Sequence, residues 1–278
     1  MTELLNNIKN LRETTGVGFL DCKKALVENN NDIQKSIDYL RKIGLAKASK
    51  NISREAKEGA VGVFVTYKKA LLIEINTETD FAAKNNIFLN FIENIANYLQ
   101  ELKTENEIEI NQFLEMKFEN KKISEHFTEI IAQIGENIVL KKIKFLKQNT
   151  NNQIFTYTHN AYKKNIGKIC VALNTELELE NQDSLILGKN LCMHIAAMKP
   201  LSLNLDSLDK KIVDKEKEIQ LESIKSSGKP DEIVNKILEG KMKKFYSEVI
   251  FSNQKYILDE EKSVNQIITE FNNKNGKF

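Results

Sequence analysis

The side chains best suited to catalysis or metal binding are three histidines and three cysteines. Cys192 and His194 stand two positions apart in a helical stretch and therefore face different ways, which suits neither a nucleophile–base pair nor a zinc site. The others are scattered, with no C-x-x-C pair: His126, His159, Cys22 and Cys170. These residues predict no catalytic centre and no metal site.

Phosphate-binding glycine motifs are also missing from the sequence. It contains no G-x-x-x-x-G-K-[ST], and no G-x-G-x-x-G follows a strand pattern, so we expect the chain to bind no nucleotide or other cofactor of its own. Since no carboxylate pair stands out as an acid–base couple either, the sequence predicts a protein that is not an enzyme.

The most unusual stretch is "TETDFAAKN", residues 77–85, where a strand pattern changes to a helical one. An acid, Asp80, precedes a large aromatic residue, Phe81. One interpretation is structural: Asp80 caps the helix and Phe81 folds back onto its first turn. The other is that Phe81 is presented to a partner.

Composition limits the class of partner. The net charge is only +2 over 278 residues, and arginine, the residue best suited to forked recognition of phosphates or bases, occurs only three times. The beginning of the chain lacks the apolar core of a signal peptide, and no apolar run approaches the ~18 residues that span a bilayer. The three cysteines are odd in number and widely spaced, which fits a reducing compartment. These features lead us to expect a soluble cytoplasmic protein without a membrane partner.

The periodicity predicts an α+β fold. Residues 1–54 read as three helices, the third ending at Gly44, followed by a solvated basic connector at 41–57. Residues 55–148 read as a strand hairpin turning at Tyr67–Lys68–Lys69, then a helix from Phe81 to Leu102. Residues 149–278 read as a second subdomain.

The second subdomain repeats the hairpin-plus-helix plan of the first, which indicates a duplicated α+β core. Where the first copy has Thr79–Asp80, the second copy has Leu177–Glu178, so the fold alone does not demand the Asp-Phe corner. After Pro200, two amphipathic helices at about 201–249, joined by "SSGKPDE", predict an inserted antiparallel helical hairpin with Leu208, Ile212 and Ile219 facing inward.

Six stretches together resemble one family, bacterial translation elongation factor Ts, in the family's order and over nearly the whole chain. They are "LRETTGVGFLDCKKAL" at 11–26, "TETDFAAKN" at 77–85, "IGENIVLKK" at 134–142, "HIAAMKP" at 194–200, "SGKPDEIVNKILEGKMKKFYSEV" at 227–249 and "QKYILDEEKSVNQII" at 254–268.

The resemblance implies a guanine-nucleotide exchange factor for elongation factor Tu, the GTPase that delivers aminoacyl-tRNA to the ribosome. It implies that the N-terminal helices are ubiquitin-associated-like and dock on the partner through Arg12, Phe19 and Leu20. It further implies that a short segment disturbs the partner's magnesium and phosphate site. That segment is Thr79, Asp80, Phe81 and Ala82, supported by Lys84 and Asn85.

The sequence departs from the family pattern in places. "HNAYKKNIG" after Thr158 is longer and richer in lysine, which leaves His159 without a matching motif to support a partner contact. Ala82 stands where a valine is common. The alternative function from a different class is an RNA- or ribosome-associated binding protein that uses the helical module and the 41–57 connector, although aromatic and basic residues are not interleaved there.

Overall fold

The computed structural model describes residues 2–66, 69–102, 108–147, 152–177, 180–225 and 230–278. Its α-helices are α1 (Thr2–Thr15), α2 (Phe19–Glu28), α3 (Ile33–Asn51), α4 (Asp80–Ala83), α5 (Asn86–Glu101), α6 (Ile110–Glu115), α7 (Ile123–Ile134), α8 (Gln182–Met198), α9 (Lys210–Lys225), α10 (Asp231–Val249) and α11 (Val264–Asn275). Its strands are β1 (Glu58–Val65), β2 (Lys69–Thr77), β3 (Lys117–Phe118), β4 (Lys121–Lys122), β5 (Val139–Lys147), β6 (Asn152–Lys163), β7 (Ile166–Glu176), β8 (Lys255–Tyr256) and β9 (Asp259–Ser263). The α+β class is confirmed.

The chain forms two compact units. The first consists of Met1–Lys147 together with Thr158–Cys170, and the second of Gln148–Tyr157 together with Val171–Phe278. The hairpin of β6 and β7 thus contributes its tip to the first unit and its base to the second. The predicted domain boundaries after residues 54 and 148 stay a prediction.

The N-terminal module of α1, α2 and α3 has a small apolar core of its own. That core consists of Ile8, Leu11, Cys22, Ala25, Leu26 and Leu40. The predicted end of the third helix at Gly44 is wrong, because α3 continues to Asn51. Gly44 lies against α7, where an added Cβ would come 2.8 Å from the Ala132 Cβ, so the missing side chain lets the two helices approach.

The basic connector is consequently not the free spacer that the sequence predicted. Its first half belongs to α3, and Asn51 is buried with its amide donating to the Gly135 carbonyl (3.0 Å). Lys50 and Lys57 are exposed, while the side chain of Lys47 lies outside the described residues.

The main sheet has the strand order β5-β2-β1-β7-β6. β1 and β2 form an antiparallel hairpin from the Glu58–Thr77 pair to the Val65–Ala70 pair, and the predicted turn at Tyr67–Lys68 lies outside the described residues. Alternate residues of β2 point to one apolar core with α5 and α7. Its fully buried members include Leu71, Ile73, Ile75, Phe88, Ile92, Ile95 and Leu99.

The helix predicted from Phe81 to Leu102 is also wrong, since the chain makes two helices there. α4 is a single turn, and the backbone then leaves the helical conformation at Asn85 (φ −68°, ψ 131°) before α5 begins. This break separates the Asp80–Phe81 corner from the long helix and makes the corner a short structure of its own.

The predicted second copy of the plan is the β6–β7 hairpin followed by α8, and the second unit contains α8 and the base of that hairpin. A separate core forms around Leu187, Leu191, Phe251, Tyr256 and Val264. The copy's equivalent of the corner includes Glu178, which lies outside the described residues.

The predicted helical hairpin is α9 and α10, whose connecting residues 226–229 lie outside the described residues. Leu208 is buried as predicted, and Ile224, Val234 and Met242 are buried between or beside the helices. The inward prediction is wrong for Ile212 and Ile219, which are 38% and 50% exposed. Apolar spacing identified the helices, but it did not show which of their apolar side chains are buried and which face solvent.

Candidate functional site

The Asp80–Phe81 corner follows directly from the end of β2. Thr77 is buried, and its hydroxyl donates to the Thr79 carbonyl (2.8 Å). Thr79 is extended (φ −124°, ψ 158°), and its hydroxyl oxygen accepts from the Ala82 backbone N–H (3.2 Å). Thr79 is therefore the N-cap of α4, and the prediction that Asp80 caps this helix is wrong.

Asp80 lies in the first helical turn and pairs with Lys84. The Asp80 Oδ2 and Lys84 Nζ atoms are 2.8 Å apart in an i,i+4 arrangement. The hydrogen bond from Lys84 lowers the pKa of the Asp80 carboxyl, and the same bond raises the pKa of Lys84. The corner thus carries a carboxylate, ion-paired with Lys84, beside Phe81.

Phe81 is the most exposed large apolar side chain of the described residues, at 83%. Ala82 and Ala83, the next two residues, are buried beneath it. The single turn of α4 therefore directs its small side chains into the first unit and its one aromatic ring into solvent. The interpretation in which Phe81 folds back onto the helix is wrong, and Ala82 does not form part of the exposed surface.

Lys84 and Asn85 hold the end of the corner. Besides its pair with Asp80, the Lys84 ammonium lies 5.9 Å from the centroid of the Tyr162 ring. The Asn85 side chain accepts from the Ile87 N–H (2.8 Å) and caps α5. Both residues support the geometry of the corner from its C-terminal side.

A loop far along the chain supports the corner from the other side. Thr79 donates through its backbone N–H to Glu136 Oε2 (2.9 Å) and through its hydroxyl to Glu136 Oε1 (2.7 Å). The neighbouring Asn137 donates its N–H to Glu78 Oε1 (2.6 Å). Glu136 was not among the predicted site residues: it lies in the stretch "IGENIVLKK", whose residue types give no sign of a contact with residue 79.

The predicted docking residues of the N-terminal module lie on its surface. Phe19 and Leu20 begin α2 and are 42% and 78% exposed, and neither belongs to the buried core of the module. Arg12, in the last turn of α1, and Phe19 line the same surface groove with Leu5, Lys9 and Val17. The module therefore brings a guanidinium and two apolar side chains to its surface.

The remaining predicted candidates lie elsewhere. His159 is exposed on β6. Cys192 and His194 are buried on α8, and burial raises the pKa of Cys192 to about 12. The Ile257 N–H donates to His194 Nδ1 (3.3 Å), so Nε2 carries the proton of the neutral ring and donates to Gln254 Oε1 (3.0 Å). His194 is a packed structural residue, as predicted.

The described residues show neither a metal-binding cluster nor a membrane-spanning helix. Over the ranges given above, no group of three or more His, Cys, Asp or Glu side chains could hold a metal ion. Within the same ranges, no helix has the length and apolar character needed to cross a membrane.

Comparison with known proteins places the chain in a family. The family model described as "Elongation factor TS" matches residues 78–278, beginning at the corner itself. The chain is 39% identical over 263 residues to elongation factor Ts of Paracoccus denitrificans, covering 95% of this chain and 86% of the relative. It is 38% identical over 268 residues to elongation factor Ts of Halothermothrix orenii (96% and 87%) and 36% identical over 265 residues to that of Rickettsia bellii (95% and 84%). The chain therefore belongs to the elongation factor Ts family of translation elongation factors.

Proposed function

We propose that this protein is a guanine-nucleotide exchange factor for elongation factor Tu, which it binds in GDP-bound and nucleotide-free forms during translation in the cytoplasm. The observation that carries the proposal is the exposure of Phe81 on a braced single turn. A soluble protein gains nothing in stability from a bare phenylalanine in water, whereas burying such a ring in a partner contributes about 1.5–3 kcal/mol.

In this mechanism Phe81 acts as a wedge. If its pocket exists only when the partner's switch elements have moved, the burial energy favours the moved state and weakens the coordination of magnesium to the phosphates of GDP. By linkage, the factor by which this protein lowers GDP affinity is the factor by which GDP lowers the affinity of this protein. Release is accelerated without any group that makes or breaks a bond, so the activity is not enzymatic in the usual sense.

Asp80 contributes charge beside the wedge. Its carboxylate is exposed and held by Lys84, so it can approach the partner's metal and phosphate site without losing its orientation. Thr79 caps the turn, and Ala82 fills the space beneath it. Lys84 and Asn85 keep the turn separate from α5.

The N-terminal module supplies affinity. Arg12 and Phe19 line one surface groove, and the exposed Leu20 follows Phe19 in the chain. Arginine and aromatic side chains are enriched at protein interfaces. Docking there would bring the corner repeatedly to the same place on the partner.

The experiment is release of a fluorescent GDP analogue from the cognate elongation factor Tu, with and without this protein. Acceleration that saturates with the concentration of this protein is expected. A release rate independent of this protein, under conditions where the two proteins co-elute, would contradict exchange while leaving binding intact.

A further inference from the structure

We propose that Glu136 is a positioning residue that holds the Asp80–Phe81 corner in its exposed form before any partner binds. The inference rests on the proposed exchange function and adds to it a residue 55 positions away from Phe81 in sequence. Both hydrogen bonds of Glu136 at the corner are to Thr79, and Glu136 acts through that residue.

The corner needs external support because α4 is only four residues long. The first turn of a helix fixes many backbone angles for a single hydrogen bond, so a lone turn is not stable by itself in water. Two of its side chains, Ala82 and Ala83, are buried, but they are small and offer little contact area. Holding the residue that begins the turn is the effective way to stabilise it.

Glu136 holds that residue at two points. One carboxylate oxygen receives the Thr79 backbone N–H, and the other receives the Thr79 hydroxyl. With its hydroxyl hydrogen engaged, the Thr79 oxygen turns its free lone pairs to the Ala82 N–H. The cap and the carboxylate therefore form one connected network, in which losing the carboxylate also loosens the cap.

The loop that carries Glu136 is itself fixed. Gly135 ends α7 in the left-handed conformation (φ 86°), which a glycine adopts without strain, and its N–H donates to the Ile131 carbonyl (2.8 Å). The buried Asn137 amide donates to the carbonyls of Ile52 (3.1 Å) and Arg54 (2.5 Å). Glu136 thus stands between a helix end and a buried amide, which prevents the anchor from moving with the corner.

Fixing the corner in the free protein removes an ordering cost from binding. If Thr79 were loose, the partner would have to order the turn before Phe81 could enter its pocket, and part of the burial energy would be consumed. That cost falls at the step in which Phe81 is inserted. We therefore expect a loose Thr79 to lower the maximal rate of GDP release at saturation. The effect on the half-saturating concentration, which the N-terminal module controls, should be smaller.

The test compares Glu136→Ala, Glu136→Gln and the control Glu109→Ala, an exposed glutamate before α6 that removes the same charge from the first unit. Maximal GDP-release rates would be measured on the cognate elongation factor Tu. Amide hydrogen exchange at Ala82 would be followed by NMR in each free protein. We expect Glu136→Ala to lower the maximal GDP-release rate about tenfold and to speed amide hydrogen exchange at Ala82. Glu109→Ala should match the wild type in both measurements.

The Gln variant separates position from charge. Its amide oxygen can still accept the Thr79 N–H, and its NH₂ can donate to the Thr79 hydroxyl, so we expect most of the rate to return. A Gln variant as slow as the Ala variant would make the charge itself the cause and overturn the positioning role. Unchanged rate in Glu136→Ala with an active wild type would also overturn it. If the wild type does not accelerate GDP release, the exchange function is refuted instead. Amide hydrogen exchange at Ala82 in free Glu136→Ala then still tests whether Glu136 holds the corner.

Discussion

Phe81 and Phe88 lie seven residues apart and have opposite environments, since the first is 83% exposed and the second is completely buried. Phe81→Ala should slow stimulated GDP release at least about tenfold, because losing ~2 kcal/mol of burial in the partner exceeds the 1.4 kcal/mol of a tenfold change. The thermal midpoint of the free protein should hardly move. Both quantities would be measured on one sample.

Phe88→Ala is the matched control for that substitution. It empties a site in the main core and should cost about 3–5 kcal/mol of folding free energy. Its exchange activity should fall only with the folded fraction. If Phe81→Ala behaved like Phe88→Ala, with stability lost and activity per folded molecule kept, the wedge mechanism would be refuted.

A second pair of substitutions separates the cap from the charge at the corner. Thr79→Ala should lower stability by about 1 kcal/mol in urea unfolding followed by a probe in the first unit, whereas Thr79→Ser, which keeps the hydroxyl, should lose little. Asp80→Asn should leave stability within error, because Asp80 is exposed and does not cap α4. A loss of stability in Asp80→Asn equal to that in Thr79→Ala would contradict the assignment of the cap.

The docking role of the N-terminal module can be tested by another matched pair. Leu20→Ala should weaken binding to elongation factor Tu by about tenfold in calorimetric titration without shifting the thermal midpoint, because the side chain is 78% exposed. Leu26→Ala, in the module core, should instead lose about 2–5 kcal/mol of stability. Equal affinity of Leu20→Ala and the wild type would count against this surface.

Deleting residues 1–54 would be a poorer test than these substitutions. Removing α3 would expose the surface of α7 around Ala132 and leave Asn137 without the carbonyls of Ile52 and Arg54. A deletion could therefore lose exchange by loosening the corner rather than by losing the docking surface.

The basic residues at the end of the N-terminal module should bind nucleic acid weakly. Replacing Lys47, Lys50 and Lys57 with Gln should change RNA retention little in filter binding across salt concentrations, since Lys57 already pairs with Glu55 (2.9 Å) and the net charge of the chain is +2. A large loss of binding with a reduced salt slope would instead favour the RNA-binding alternative.

His194 predicts how stability depends on pH. Burial lowers its pKa against the opposing hydrogen bond to Gln254, so the folded protein binds this proton less readily than the unfolded chain does. The stability that depends on a neutral His194 is fully present above about pH 6.5, the pKa of an unfolded histidine. It is lost as the pH falls towards the lower pKa of the folded protein, at up to about 1.4 kcal/mol per pH unit. Thermal unfolding from pH 7.5 to 5.5 measures this slope. His194→Gln should flatten it, and an unchanged slope in His194→Gln would contradict the assignment of this proton to His194.

The sequence was sufficient for the main elements and for the Asp80–Phe81 corner, because apolar periodicity and turn residues act locally. It could not choose the cap, since Thr79 and Asp80 are both good N-cap residues and the contact of Thr79 with Glu136 is not visible in the sequence. It ended α3 too early because Gly44 is a stop signal in isolation but a close-packing site against Ala132. Both of these failures involve a contact between residues far apart in the chain, which local patterns do not contain.

The division of the β6–β7 hairpin between the two units has a consequence for synthesis of the protein. During translation the chain emerges from the ribosome N-terminus first. The first unit therefore still lacks Thr158–Cys170 when residues 1–147 have emerged. The strand β1 must wait for Ile166 and Gly167 before its second neighbour can pair. During that interval one side of β1 is an open edge, and a nascent chain paused there would expose unpaired backbone to other chains.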